Sequence, residues 1–171
     1  VGGFSNSRNR RGQLGQRGRP VPVLEGGEHA PEPLSESPTQ RPGGPVRVVV
    51  VDDSAIVRKL LVDGLKNQPG IEVVGTAADP YQARDLIVRL EPDVITLDIE
   101  MPRMDGFEFT KTIKGDAKYV NIPIIMITSR TAEKHRNMAA DLGVDMYLGK
   151  PYQEEELLRH LREMTGVSAS I

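Results

Sequence analysis

From Val46 onward the chain alternates between short apolar runs and longer amphipathic stretches. Val46–Val51 holds five valines around Arg47 and stops at Asp52. A run apolar on successive positions suits a parallel strand buried on both faces. Over 55–68, Ile56, Leu60, Leu61 and Leu65 recur at helical spacing, and Ser54 ahead of them predicts an N-cap. Ile71–Thr76 reads as a second strand. Asp79-Pro80-Tyr81-Gln82 supplies a cap, a proline at the first helical position and a glutamine to close a capping box, for a helix ending near Leu90. Val94–Leu97 is a third strand with Asp98 at its end, followed by a shorter helix over 105–114. Ile122–Ile127 is a fourth strand with Thr128 and Ser129 at its tip. A helix over 131–142 is ended by Gly143, Asp145–Leu148 is a fifth strand, and Lys150-Pro151 leads into a last helix over 153–164. Strands alternating with helices predict right-handed crossovers and a parallel sheet covered on both faces, an α/β doubly wound fold.

Composition divides the chain near Pro45. Residues 1–45 hold nine Gly and seven Pro with few aliphatic residues, and read as a disordered linker. Arg8, Arg10, Arg11, Arg17 and Arg19 cluster there. A solvated tail is the simpler reading than a phosphate or acidic-lipid contact. Residues 46–165 form the predicted domain, and 166–171 a flexible tail. The formal net charge of −2 gives no argument for nucleic acid or membrane. There is no cysteine, which excludes disulfides and thiolate metal sites and fits a reducing cytoplasm. No apolar stretch approaches the roughly 18 residues of a spanning helix, and the N-terminus lacks a signal-peptide core. The chain opens on Val rather than Met, so it is expected to be a piece of something longer.

In doubly wound sheets the loops at the carboxyl ends of the strands build the site. Asp52 and Asp53 stand there after strand one, Asp98 after strand three, Thr128 and Ser129 after strand four, and Lys150 after strand five. Neighbouring carboxylates repel and raise one another's pKa, so something positive must compensate. A hard divalent ion with oxygen ligands does so, and Mg²⁺ suits a site that also meets a phosphate. Lys150 supplies a second, fixed charge. Metal, ammonium and hydroxyl together suit a phosphoryl group in transfer. With no cysteine and no Ser-His-Asp arrangement, covalent chemistry falls to a carboxylate, and Asp98 stands alone opposite the Asp52/Asp53 pair. Singly, each feature has an ordinary explanation as a cap, a turn or a loop; their coincidence on successive strand ends carries the reading. Gly106 is expected to supply a positive φ in a tight turn. Met101, Met104 and Met126 are expected in loop and core packing, and His135 and His160 on the surface.

Four stretches, Val49–Ser54, Leu97–Gly106, Ile127–Ser129 and Tyr147–Pro151, resemble the receiver domains of two-component response regulators. The resemblance covers about 46–165, with every motif in order. It implies a flavodoxin-like (βα)5 sheet in the order 2-1-3-4-5. It also implies that Asp98 is the phosphoacceptor, that Asp53 binds Mg²⁺ directly and Asp52 mostly through water, and that the Glu100 backbone carbonyl completes the protein's share of the shell. Thr128 and Lys150 would contact the phosphoryl oxygens, Tyr147 resembles the family's aromatic switch, and the bond before Pro151 would be cis. Residues 46–109 look most like the receiver of the chemotaxis methylesterase, and 122–158 more like receivers of chemotaxis-type hybrid histidine kinases. No stretch resembles a methylesterase or kinase domain.

The implied partners are a histidine kinase or phosphotransfer domain as donor and a protein target on the helix 4–strand 5–helix 5 face, with the chain a monomer. Glu100 would stand near the path of a hydrolytic water. The rival readings are a receiver-like binding module that works without phosphorylation, a nucleic-acid binder acting through the arginine-rich tail, and a flavin-binding domain. The acidic loop after strand one argues against the last, since a phosphate cradle there should be Gly- or Ser-rich.

Overall fold

A computed structural model describes residues 43–166. The linker reading for 1–45, apart from its last three residues, and the tail reading past Gly166 lie outside the described residues. Ten elements follow one another: β1 Val46–Val51, α1 Ala55–Lys66, β2 Ile71–Ala77, α2 Pro80–Leu90, β3 Val94–Leu97, α3 Gly106–Lys114, β4 Ile124–Thr128, α4 Glu133–Asp141, β5 Met146–Gly149 and α5 Glu154–Thr165. The five strands form one parallel sheet in the order β2-β1-β3-β4-β5. No helix among the described residues is long and apolar enough to cross a membrane.

Successive strand residues point to opposite faces, so the valines of β1 feed two cores. Val46, Val48 and Val50 pack with Leu61, Leu65, Leu157 and Leu161, under α1 and α5. Val49 and Val51 pack with Ile87, Phe109, Ile113 and Ala139, under α2, α3 and α4. Each such side chain contributes roughly 2 kcal/mol when fully buried, which is why the apolar runs become central strands.

The caps hold the helices where the sequence puts them. Ser54 Oγ accepts from the Val57 N–H, Asp79 Oδ1 from Tyr81 and Gln82, and Asp105 Oδ1 from Glu108. Gln82 reaches back to the Ala78 N–H, one residue ahead of the cap. Gly143 follows the end of α4 at φ 87°. β4 starts at Ile124 rather than Ile122: Pro123 has no N–H for a ladder, though its carbonyl still accepts from Ile95.

Three expectations are corrected. Ile56 and Leu60 do not face the core; they are 74% and 61% exposed, and the row Val57, Leu61, Leu65 turns inward instead. Gly106 is not at positive φ; that conformation falls on Arg103, at 70°. Gly106 is needed for space, because a Cβ there would lie 2.4 Å from the Asp98 carbonyl oxygen. His135 and His160 are half-buried rather than surface residues: His135 stacks against Phe107, and His160 lies between Glu156 and Glu163 on α5.

Candidate functional site

The site begins with where strands end. The Asp98 N–H donates to the Val51 carbonyl and the Asp52 N–H to Ala77, so both aspartates leave the sheet at its carboxyl edge, side by side. The Lys150 N–H donates to the Thr128 carbonyl, which brings the end of β5 to the same rim. Asp52, Asp53 and Asp98 each offer a carboxylate oxygen, and these oxygens lie within 4.8 Å of one another.

Their surroundings differ. Asp52 is buried; its Oδ1 accepts from the Ser54 N–H at 2.8 Å and its Oδ2 from Lys150 Nζ at 2.9 Å. Asp53 is exposed. Asp98 is buried, with Oδ2 3.3 Å from Lys150 Nζ and Oδ1 left without any hydrogen-bond partner. Thr128 is fully buried at the end of β4, and its hydroxyl oxygen accepts from the Arg130 N–H. The Lys150–Pro151 peptide is cis. Tyr147 is half-buried, with its hydroxyl donating to the Arg130 carbonyl and the Arg136 guanidinium 5.0 Å from its ring centre.

Burial pushes the Asp98 carboxyl above the usual aspartate range, and the Asp52 charge adds to that; Lys150 and the Glu100 backbone oppose it without reversing it. Burial alone would lower Lys150, but the hydrogen bond it donates to Asp52 and the charge of Asp98 outweigh it, so its ammonium is held above the ordinary lysine value. One amine thus serves two carboxylates and leaves Asp98 undercompensated. A buried carboxylate oxygen with no partner, beside two further acids, is what a cation with oxygen ligands would satisfy. The residues present therefore fit a divalent ion.

The fold reason for this placement is the tight β3–α3 junction. Ile99 accepts from both Met101 and Gly106, which folds the loop back over the end of β3, and Met101 and Met104 pack beneath it. Four features near the site lay beyond the sequence reading. Arg58 donates to the carbonyls of Asp52 and Asp53 from the first turn of α1. Arg103 pairs with Asp79 at 3.0 Å. Arg130 pairs with Glu100 at 3.0 Å. Thr96, two residues before Asp98 on the same strand face, is buried with an unpartnered hydroxyl. Only Arg58 had a local signal, its spacing from Asp53 across an N-cap.

The family model for the response regulator receiver domain matches residues 48–162. The chain belongs to the response regulator receiver domain family. Among curated proteins, this receiver domain is 45% identical over 122 residues to a protein-glutamate methylesterase/protein-glutamine glutaminase of Syntrophotalea carbinolica, covering 70% of this chain and 33% of that protein. A protein of the same description from Xanthomonas campestris is 50% identical over 109 residues, covering 63% of this chain and 30% of that protein. The chain therefore spans about a third of the length of these curated relatives. Among solved structures, the response regulator domain of Thermotoga maritima CheB matches with a TM-score of 0.65 at 36% identity, covering 72% of this chain and 98% of that one. The chemotaxis protein CheY4 of Vibrio cholerae matches with a TM-score of 0.65 at 34% identity, covering 71% and 99%. The receiver family is that of response regulators, and the CheY4 match is itself a chemotaxis protein.

Proposed function

We propose that this receiver domain takes a phosphoryl group onto Asp98 in a Mg²⁺-dependent reaction, from a phosphohistidine on a histidine kinase or phosphotransfer domain. The charge so added switches the α4–β5–α5 face toward a protein target. The observation that carries this reading is the buried, unpartnered Oδ1 of Asp98 beside Asp53, Asp52 and Lys150.

Asp53, Asp52, Asp98 and the Glu100 carbonyl would hold the ion, which when bound offsets the negative charge of the phosphoryl oxygens. The rest falls to the chain. An Asp98 oxygen bonds to phosphorus as the phosphorus–nitrogen bond to the donor imidazole breaks, and the electron pair leaves with the nitrogen. The Lys150 ammonium, already at Asp98 Oδ2, pairs with a phosphoryl oxygen, and the Thr128 hydroxyl donates to another. A charge-assisted hydrogen bond of about 1.5–3 kcal/mol moves a two-state loop by roughly one to two orders of magnitude. Tyr147 and the β4–α4 loop transmit that movement. The cytoplasm is the compartment assigned, because a phosphohistidine donor domain works there.

Beryllofluoride with Mg²⁺, a mimic of the phosphorylated aspartate, tests this by NMR. Wild type should show shifts at Thr128, Tyr147 and Lys150, and Asp98→Ala none. A silent wild type, as expected of a module that binds partners without phosphorylation, or an undiminished response in Asp98→Ala, defeats the proposal.

A further inference from the structure

Arg103 holds a backbone conformation that glycine adopts freely and arginine does not, φ 70°. The Met104 N–H donates to the Pro102 carbonyl at 2.9 Å, which closes a three-residue turn around it. A strained residue persists where its surroundings fix it, and here the side chain is fixed from outside the turn. Its Nη2 donates to Asp79 Oδ2 at 3.0 Å, and its guanidinium lies 5.1 Å from the centre of the Tyr81 ring. Asp79 is buried, and its other oxygen caps α2 by accepting from the N–H groups of Tyr81 and Gln82. Arg103 supplies the opposite charge that a buried carboxylate needs. The sheet order turns this contact into an arch. β1 lies between β2 and β3, and its end is stitched to both: the Asp52 N–H donates to Ala77 and the Asp98 N–H to Val51. Asp79 follows β2 and Arg103 follows β3. Their pair therefore crosses two strand spacings, roughly 10 Å, past the strand end that carries Asp52 and Asp53.

We propose that the Arg103 guanidinium, clamped between Asp79 and Tyr81, arches past the end of β1 and makes Arg103 a positioning residue for the cation site. It fixes the β3–α3 loop, with the Glu100 carbonyl, against the loop that follows β2 before any cation arrives. The cation part rests on the phosphoacceptor reading above; the clamp itself does not. The short segment between Asp98 and Arg103 is bonded back on Ile99 by the N–H groups of Met101 and Gly106. Anchoring the guanidinium at its far end leaves the Glu100 carbonyl little freedom. Charge and position act in opposite directions here. Removing a positive charge beside an acidic cluster tightens a divalent cation if electrostatics alone acts. Removing a positioning contact weakens it.

The test uses Arg103→Gly, Asp79→Asn, their double variant and Arg103→Lys. Glycine accepts φ 70° without strain, so the first change removes the guanidinium and leaves the turn. Asparagine keeps an oxygen for the α2 cap but replaces the oxygen that faces Arg103 with an amide nitrogen that cannot accept. Two readouts are taken on the full chain at one salt concentration. One is amide hydrogen exchange of Met101 and Met104 with Mg²⁺ chelated; the other is Mg²⁺ affinity by calorimetry without any phosphodonor. Arg103→Gly and Asp79→Asn should each speed exchange and weaken Mg²⁺ by about three- to fivefold, the size an exposed ion pair with a ring contact supports. The double variant should be no worse than Arg103→Gly. Arg103→Lys keeps a charge within reach of Asp79 and should stay within about twofold of wild type. Tighter or unchanged Mg²⁺ in Arg103→Gly, additive single effects, or a lysine variant as impaired as the glycine one would overturn the arch. If wild type binds no Mg²⁺, the phosphoacceptor reading falls and exchange alone decides the arch: the expected pattern upholds it, and any other removes it. If Mg²⁺ binds but exchange does not follow the pattern, the reading stands and the arch falls.

Discussion

Replacing Gly106 with alanine is usually a favourable kind of change: it removes unfolded-state freedom and stabilises by about 0.4–1 kcal/mol where the backbone accepts it. Here the sign should reverse. The added Cβ would sit 2.4 Å from the Asp98 carbonyl oxygen and 2.8 Å from Ile99 Cα, against ordinary contact at 3.4 Å or more. Both are backbone atoms, so no side chain can swing aside. The start of α3 must retreat by about 1 Å, which overpacking studies put at roughly 1–3 kcal/mol. The retreat also stretches the Gly106 N–H to Ile99 bond, now 2.9 Å. A lost hydrogen bond adds about 1 kcal/mol. The net expectation is a loss of about 2–3 kcal/mol, or about 10 °C in Tm. The same shift displaces Asp98 and the Glu100 carbonyl, so Mg²⁺ affinity should fall with it. Urea denaturation followed by circular dichroism and Mg²⁺ titration by calorimetry read the two effects. A variant with the wild-type urea midpoint and wild-type Mg²⁺ affinity would refute the reasoning.

Asp98→Asn should stabilise the chain when Mg²⁺ is chelated. Because the folded pKa of Asp98 is raised, its contribution is present in full below the ordinary aspartate pKa and is lost as pH rises through the raised value. The variant's advantage should therefore grow from about pH 4 upward, and a denaturation series against pH that shows it shrinking would be contrary. Lys150→Met leaves Asp52 and Asp98 without their shared ammonium. Breaking such a pair from one side costs about 3 kcal/mol or more, and added Mg²⁺ should recover more stability in this variant than in wild type, as measured by thermal melts. Arg103 adopts φ 70°, and its salt bridge to Asp79 is largely exposed on the arginine side. Arg103→Gly should therefore be more stable than Arg103→Ala by about 1 kcal/mol in urea, although neither keeps the guanidinium; equal midpoints would speak against it.

The inner strands β1, β3 and β4 were legible because each is an apolar run ending at a polar residue, and a strand buried on both faces demands that pattern. Asp52, Asp53, Asp98, Thr128 and Lys150 followed directly, since a strand end fixes where the next residue emerges. The inner face of α1 was less legible. The Ile56–Leu60 row and the Val57–Leu61–Leu65 row are adjacent on the helix, and only the neighbouring α5 and sheet decide which is covered. Gly106 was misread because its constraint is the approach of another backbone, which no local window contains. The Glu100–Arg130 pair joins residues thirty apart in the chain. Only the β3–β4 register brings them together.

One carboxylate, buried and short of partners, is proposed as the seat of phosphorylation. Incubating the chain with acetyl phosphate and Mg²⁺, then trapping and mapping the added phosphate by peptide mass spectrometry, tests it most directly. A single phosphate is expected on the peptide containing Asp98, absent with chelator and absent in Asp98→Ala. Phosphate on another residue, or none in wild type with Mg²⁺ present, would contradict it.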